Sequence, residues 1–127
     1  MDDKNFVFLF VGRIIRDKGF YELINAFERV LLEYPKIRLK ILGEIDSNNP
    51  SRVDESYLKE INLNPNIEIY GHQSDVRPFL SEASCFVLPS YREGLSRSIL
   101  EAMSMELPII TTNVPGCKEL VLSLIHI

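Results

Sequence analysis

Five short apolar segments recur along the chain, and each is followed directly by a glycine, a proline or an asparagine. They span residues 6–11, 37–42, 67–70, 85–88 and 108–112. The first is continuously apolar, which is typical of a strand buried on both faces of a parallel sheet. Amphipathic segments with helical spacing lie between them, at 20–32, 53–61, 75–82 and 96–105. This alternation predicts an α/β fold with a doubly wound parallel sheet.

The third helical segment carries a start signal of its own. Ser74 or Asp75 is the expected N-cap, because a short oxygen-bearing side chain can accept a hydrogen bond from the first free N–H groups of a helix. Pro78 then falls in the first turn, where its missing N–H costs least.

The composition fits one soluble domain and excludes several classes of partner. The 127 residues include 14 Lys+Arg and 18 Asp+Glu, for a formal net charge of −4. Nucleic acids and anionic membranes need a clustered basic face, so neither is expected as the main partner. No apolar run approaches the ~20 residues that span a bilayer, and residues 1–5 lack the pattern of a secretion signal. Cys85 and Cys117 form neither a disulfide framework nor a metal-ligand pair by spacing. We therefore expect a cytoplasmic protein.

The turn after the first strand combines two glycines with two cations. Gly12-Arg13 and Lys18-Gly19 bracket this turn, which matches neither the dinucleotide fingerprint nor a P-loop. A helix N-terminus with two nearby cations suits a diphosphate, because free N–H groups and positive charge act together there. The alternative is a turn whose charges are only solvated.

Two carboxylates follow the fourth strand. Glu93 is expected in the loop and Glu101 in the next helix. Carboxylates are acceptors only, so such a pair can bind the hydroxyls of a sugar and a ribose. The alternative for Glu101 is structural, because Ser98 and Glu101 match the capping-box spacing. The alternative for Glu93 is a solvated loop acid, and the spacing leaves both alternatives open.

Taken together, these motifs resemble the family 4 retaining glycosyltransferases, which have the GT-B fold. The resemblance covers residues 6–121. It is carried first by Gly12-Arg13 with Lys18-Gly19 and by Glu93 with Glu101. It is also carried by the sequences of the segments at 41–44, 69–71, 87–94, 100–103 and 115–120. The motif Ser90-Tyr91-Arg92-Glu93-Gly94 is similar to that of members that build bacterial capsule, exopolysaccharide or lipopolysaccharide chains. The resemblance implies that the chain is the Rossmann-like C-terminal half of such an enzyme, the half that binds the nucleotide sugar.

The resemblance also assigns roles to single residues. The residues implied at the donor are Gly12, Arg13, Lys18, Tyr70, Gly71, His72, Glu93, Gly94, Leu95 and Glu101. Arg13 and Lys18 would hold the diphosphate and stabilise the leaving nucleotide, and Glu93 would contact the transferred sugar; these three are the implied catalytic residues. Glu101 would accept the ribose hydroxyls, backbone N–H groups near Gly94 and Leu95 would lie at the phosphate, and Tyr70, Gly71 and His72 would lie near the base.

The same resemblance implies which other molecules take part. No metal ion or other cofactor is expected, since the two cations do the work that a divalent ion does elsewhere. The expected donor is a uridine diphosphate sugar. Acceptor binding belongs to an N-terminal domain that is missing here, and lipid-linked glycans are among the expected acceptors. The whole enzyme is expected in the cytoplasm, including the inner face of the membrane.

This chain departs from the family pattern at two places. Glu106 stands where the family usually has glycine, and a positive φ there would strain a glutamate by roughly 1 kcal/mol. Residues 1–121 are expected to form the donor domain, incomplete at its C-terminus, whereas 122–127 are unlike the family and are expected to be a non-native tail. Such a fragment is expected to be inactive alone.

Two alternatives come from other classes of function. The first is a GT-B-like nucleotide-sugar 2-epimerase, against which the paired Arg13 and Lys18 favour a transferase. The second is a non-catalytic nucleotide-binding or receiver-like module. A receiver needs clustered acids at its strand ends to hold magnesium, whereas the first strand here ends in a cation.

Overall fold

All five predicted strands are present and form one parallel sheet. The computed structural model describes residues 6–89 and 97–111. The strands are β1 (Val7–Val11), β2 (Arg38–Leu42), β3 (Ile67–Gly71), β4 (Cys85–Leu88) and β5 (Ile109–Thr111), in the spatial order β3-β2-β1-β4-β5. The predicted α/β fold with a doubly wound parallel sheet is therefore confirmed.

The strand order places the reversal of the sheet beside its first strand. β2 and β3 lie on one side of β1, and β4 and β5 lie on the other. In register, Phe8 of β1 lies opposite Leu39 of β2 and Cys85 of β4. Ligands of doubly wound sheets bind beyond the carboxyl ends of the strands, where the order reverses. The end of β1 is thus the place to examine.

In the part of the chain that the structure describes, four helices connect the strands close to the predicted positions. They are α1 (Phe20–Glu33), α2 (Glu55–Ile61), α3 (Arg77–Glu82) and α4 (Arg97–Ser104), and a 3-10 turn at Arg16–Lys18 precedes α1. The N-cap position of α3 is Val76, one residue later than predicted. Asp75 nevertheless supplies the predicted capping bond, because it accepts the backbone N–H of Arg77 at 3.1 Å, and it also accepts the Nε of Arg77 at 2.9 Å. Pro78 does lie in the first turn.

The core lies between the sheet and the helices. Leu9, Phe10 and Phe86 are fully buried, which confirms that β1 and β4 are interior strands. Cys85 is buried among them, and this burial raises the pKa of its thiol. The side chain is therefore a small core hydrophobe and has no trait of a nucleophile.

Gly43 allows the ends of β1 and β2 to approach each other. A Cβ on Gly43 would lie 1.7 Å from the carbonyl oxygen of Gly12. This distance is far too short for two non-bonded atoms, so no side chain fits at position 43. By contrast, a Cβ on Gly12 would make ordinary contacts with the ring of Phe10, at 3.5 Å, and with the Cδ of Lys18, at 4.0 Å. The close approach therefore requires glycine after β2 and tolerates a side chain at the position after β1.

We predict that Gly43→Ala destabilises the protein by about 3 kcal/mol or more, because backbone must move to admit the methyl group. Gly12→Ala is the matched control and should change the free energy of unfolding by less than about 1 kcal/mol. Urea denaturation followed by circular dichroism measures both. Equal stabilities of the two variants would contradict the contact.

The chain leaves α4 through a Schellman motif that contains a strained residue. Leu107 donates its backbone N–H to the carbonyl of Ala102 at 3.2 Å, and Glu106 donates to Met103 at 3.0 Å. Glu106 has a φ of 59°, in the left-handed region that favours glycine. The positive φ considered for this position is thus present, on a residue with a Cβ.

We predict that Glu106→Gly stabilises the protein by about 0.5–1 kcal/mol. The removed left-handed strain exceeds the extra entropy that glycine gives to the unfolded chain. Glu106→Ala is the control, because it removes the carboxylate and keeps the strain, so it should give no gain. A shift of the urea midpoint in both variants alike would show that charge, and not backbone conformation, is responsible.

Candidate functional site

A cleft of about 310 Å³ opens where β1, β2 and β3 end, and we call it the strand-end cleft. Its walls combine an apolar floor with a polar rim. The floor is formed by Val11, Leu42 and Val76, the two glycines are Gly12 and Gly43, and the rim carries Arg13, Glu44, His72 and Gln73. This volume lies at the lower end of the range of small-molecule sites.

The predicted cations both lie close to Gly12. Arg13 is exposed on the rim, and no described residue forms a hydrogen bond or an ion pair with its guanidinium. Lys18 is half-buried, and its Cδ passes 4.0 Å from the position that a Cβ on Gly12 would take. The turn therefore brings both side chains to the cleft end of β1, and the Arg13 fork is available to an anion.

Gly19 holds this turn against the end of β4. Its φ is 72°, and a Cβ there would lie 1.9 Å from the carbonyl oxygen of Pro89. Helix α1 begins at the next residue, so its free N–H groups start beside the point where β4 ends. The predicted turn that opens a helix is confirmed, and Gly19 is required for both conformation and close contact.

A polar loop fastens the turn from the other side. The backbone N–H of Arg16 donates to the carbonyl of Ser51 at 2.7 Å, and the N–H of Asp17 donates to the Ser51 hydroxyl at 3.2 Å. Ile14 donates to the carbonyl of Glu44 at 3.1 Å. Residues 14–17 are thereby fixed along one side by the connection between β2 and α2.

The residues at the end of β3 differ in whether they line the cleft. His72 is exposed on the rim, and Gly71, with a φ of 76°, accepts the N–H of Gly43 at 2.8 Å. Tyr70 does not line the cleft: its ring lies 5.1 Å from that of Phe79 in α3, and its hydroxyl donates to Glu68. The Tyr70 side chain therefore packs on the α3 face of the sheet.

Glu101 is half-buried in α4, and its carboxylate has no hydrogen bond or ion pair with any described residue. Ser98 is the second residue of α4 as described, so it lies inside the helix and cannot be the N-cap. The capping-box interpretation of Glu101 is therefore wrong, and the carboxylate is left without that structural role.

The remaining predicted site residues, Glu93, Gly94 and Leu95, lie outside the described residues. Within residues 6–89 and 97–111, no group of three or more His, Cys, Asp or Glu side chains could hold a metal ion. No helix in these ranges is long and apolar enough to cross a membrane.

Two polar residues of the cleft were not predicted. Glu44 and Gln73 both lie on the rim, and the Nε2 of Gln73 donates to the carbonyl of Tyr70 at 3.1 Å. The available signal was their position two residues past the ends of β2 and β3, where parallel sheets gather polar side chains.

Solved structures share this fold. HepE of Anabaena, crystallised in complex with UDP-glucose, superimposes with a TM-score of 0.78 at 23% identity, over 91% of this chain and 32% of that one. The sucrose-phosphate synthase of Thermosynechococcus elongatus gives a TM-score of 0.73 at 27% identity, over 91% of this chain and 30% of that one. Because HepE shares only 23% sequence identity with this chain, its likeness shows the fold alone.

Curated relatives are closer in sequence. The capsular polysaccharide biosynthesis glycosyltransferase CapM of Staphylococcus aureus is 37% identical over 119 residues, which are 94% of this chain and 31% of CapM. TuaC of Bacillus subtilis, named as a putative teichuronic acid biosynthesis glycosyltransferase, is 34% identical over 112 residues, 88% of this chain and 26% of TuaC. The chain thus spans about a third of CapM and about a quarter of TuaC.

The family match covers nearly the whole chain. Residues 5–124 match the family described as glycosyl transferases group 1. This range includes strands β1 to β5, the residues that line the strand-end cleft, and helix α4 with Glu101. The chain therefore belongs to the group 1 glycosyl transferases.

Proposed function

We propose that the chain binds the nucleotide-sugar donor of a retaining, family 4 glycosyltransferase that builds a bacterial surface polysaccharide. The observation that carries this proposal is the Arg13 guanidinium, which has no hydrogen-bond or ion-pair partner among the described residues and lies at the rim of a cleft in a glycosyl transferase domain. The relatives CapM and TuaC are named as transferases of capsular and teichuronic acid synthesis, which favours a transferase over an epimerase.

The diphosphate of the donor lies against Arg13 and Lys18 in this proposal. A guanidinium fork can bind two phosphate oxygens at once, and the ammonium of Lys18 adds a point charge beside Gly12. The N-terminus of α1, which begins directly after Gly19, adds N–H groups and a positive dipole end. These charges favour departure of the nucleotide, because negative charge develops on it as the sugar bond breaks. No metal ion is needed for that task.

The ribose and the sugar are assigned to the two carboxylates. Glu101 accepts the ribose hydroxyls, which is consistent with its lack of any described partner. Glu93 contacts the transferred sugar, and backbone N–H groups at Gly94 and Leu95 lie near the phosphate. These last three assignments rest on the family resemblance.

The base is assigned to the β3 end of the cleft. His72 lies there on the rim beside the apolar floor, and Gly71 is the last residue of β3 directly before it. The ring of Tyr70 packs on Phe79, so we assign Tyr70 a main-chain contact only. Uridine is the proposed nucleoside: a relative of Escherichia coli, 31% identical over 92% of this chain, is named as a galactosyltransferase that uses UDP-Gal.

Acceptor binding is assigned to a separate N-terminal domain of a longer enzyme. That E. coli relative acts, by its name, on a sugar linked to diphosphoundecaprenol, which supports a lipid-linked glycan as acceptor. The 127 residues alone are therefore expected to bind the donor and to transfer no sugar.

We predict that Arg13→Ala weakens binding of UDP by roughly tenfold, the effect of losing one charge-assisted contact of about 1.5 kcal/mol. Arg29→Ala, on the exposed side of α1, is the matched control and should leave binding unchanged. Saturation-transfer NMR with UDP on the purified chain gives both affinities. Binding that survives Arg13→Ala at full strength would remove Arg13 from the site.

We predict that the wild-type chain binds UDP several-fold better than its 2′-deoxy analogue, because Glu101 accepts the 2′-hydroxyl. Glu101→Gln should reduce that preference to less than about twofold, since an amide is a weaker acceptor than a carboxylate. Glu60→Gln, on the exposed side of α2, should keep it. A preference that persists in Glu101→Gln would assign the ribose to another residue.

A further inference from the structure

A second cavity lies at the same edge of the sheet, outside the strand-end cleft. It has a volume of about 250 Å³ and is lined by Arg16, Tyr21, Pro50, Arg52 and Asp54. Its residues come from the turn before α1, from α1 itself and from the loop before α2. Two residues separate Arg13 from Arg16, so their Cα atoms are three steps along the chain and at most about 11 Å apart. The cavity is therefore a close neighbour of the proposed diphosphate site.

The loop that carries Arg52 is held by its own hydrogen bonds. Asn49 donates its N–H to the carbonyl of Asp46 at 3.2 Å, and its side-chain oxygen accepts the N–H of Ser51 at 2.8 Å. The N–H of Arg52 donates to the carbonyl of Asn49 at 3.0 Å, and Arg52 forms an antiparallel bridge with Ile15. The backbone that presents Arg52 is thus fixed before any ligand arrives, which lowers the entropy cost of binding.

Three side chains of this cavity have N–H or O–H groups that can donate hydrogen bonds to a ligand. Nη2 of Arg16 donates to the carbonyl of Pro50 at 2.8 Å, which fixes the guanidinium and leaves its other N–H groups. No described residue forms a hydrogen bond or an ion pair with the Arg52 guanidinium, which is exposed. The Tyr21 hydroxyl accepts the N–H of Asp54 at 3.2 Å, so its proton is available to donate.

The charge of the cavity selects the ligand. Two guanidinium groups face one carboxylate, Asp54, and neither of them lies within ion-pair distance of it among the described contacts. The net charge of +1 favours one anionic group. Guanidinium forks and a hydroxyl suit the planar or tetrahedral oxygens of a carboxylate or a phosphate.

We propose that Arg16, Arg52 and Tyr21 form a second anion site, which binds a phosphate or carboxylate group of a sugar. The assignment of that sugar to the glycan acceptor rests on the proposed transferase function, whereas the site itself does not. In that role the site contacts an anionic group of the acceptor that the N-terminal domain binds, and it favours acceptors that carry such a group.

The test follows the side-chain Nε–Hε resonance of Arg52 by NMR while the chain is titrated with glucose 1-phosphate, glucuronate or glucose. We expect saturable shifts with one or both anionic sugars and none with glucose, and the two anionic arms separate phosphate from carboxylate. Raising the salt concentration should weaken binding, because the site is exposed. Arg52→Gln and Tyr21→Phe should weaken it about tenfold and about threefold, followed through the Arg16 resonance.

Two controls keep this site apart from the donor site. Arg13→Ala should leave the Arg52 shifts unchanged, and Arg52→Gln should leave UDP affinity unchanged. Arg29→Gln is the matched surface control, and the amide spectrum of each variant shows whether it is folded. No saturable shift at Arg52, an equal shift with glucose, or loss of the shift in Arg13→Ala would each overturn the proposal. Absence of UDP binding would instead overturn the proposed donor function alone.

Discussion

The strand-end cleft depends on the backbone contact between Gly43 and Gly12. Because Gly43 has no Cβ, its backbone lies against the Gly12 carbonyl, and the ends of β1 and β2 converge. Gly12 donates its N–H to the carbonyl of Leu42 at 2.9 Å, and Gly43 donates to the carbonyl of Gly71 at 2.8 Å. These bonds tie three strand ends into one surface. The rim side chains then reach a common space although they are far apart in sequence.

Most of the fold could be predicted because it depends on local patterns. The continuous apolar run that became β1 is buried, and the alternation at 38–41 matches alternating exposed and buried residues in β2. For these strands the period suffices, since the neighbours that decide the structure are within a few residues. The left-handed conformation of Glu106 was considered because of the resemblance, since the family usually has glycine at this position.

The candidate site could be predicted only in part, because its shape depends on contacts between distant segments. Nothing in the polar sequence at 46–51 shows that Ser51 binds both Arg16 and Asp17. The position of the Tyr70 side chain could not be predicted for a different reason. Residues two apart in a strand share a face, so Tyr70 lies with Glu68 on the α3 side, away from the strand-end cleft.

Charges of both signs lie at the carboxyl end of the sheet, and their balance differs between the two cavities. The rim of the strand-end cleft carries Arg13 and Glu44, whereas the second cavity carries Arg16 and Arg52 against Asp54 alone. The hydrogen bonds between residues 14–17 and the 46–54 loop fix the backbone that presents these groups. Hydrophobic burial would allow charged side chains anywhere on the surface, so it does not account for an excess of positive charge at one cavity. A ligand that brings negative charge to the second cavity would balance that excess.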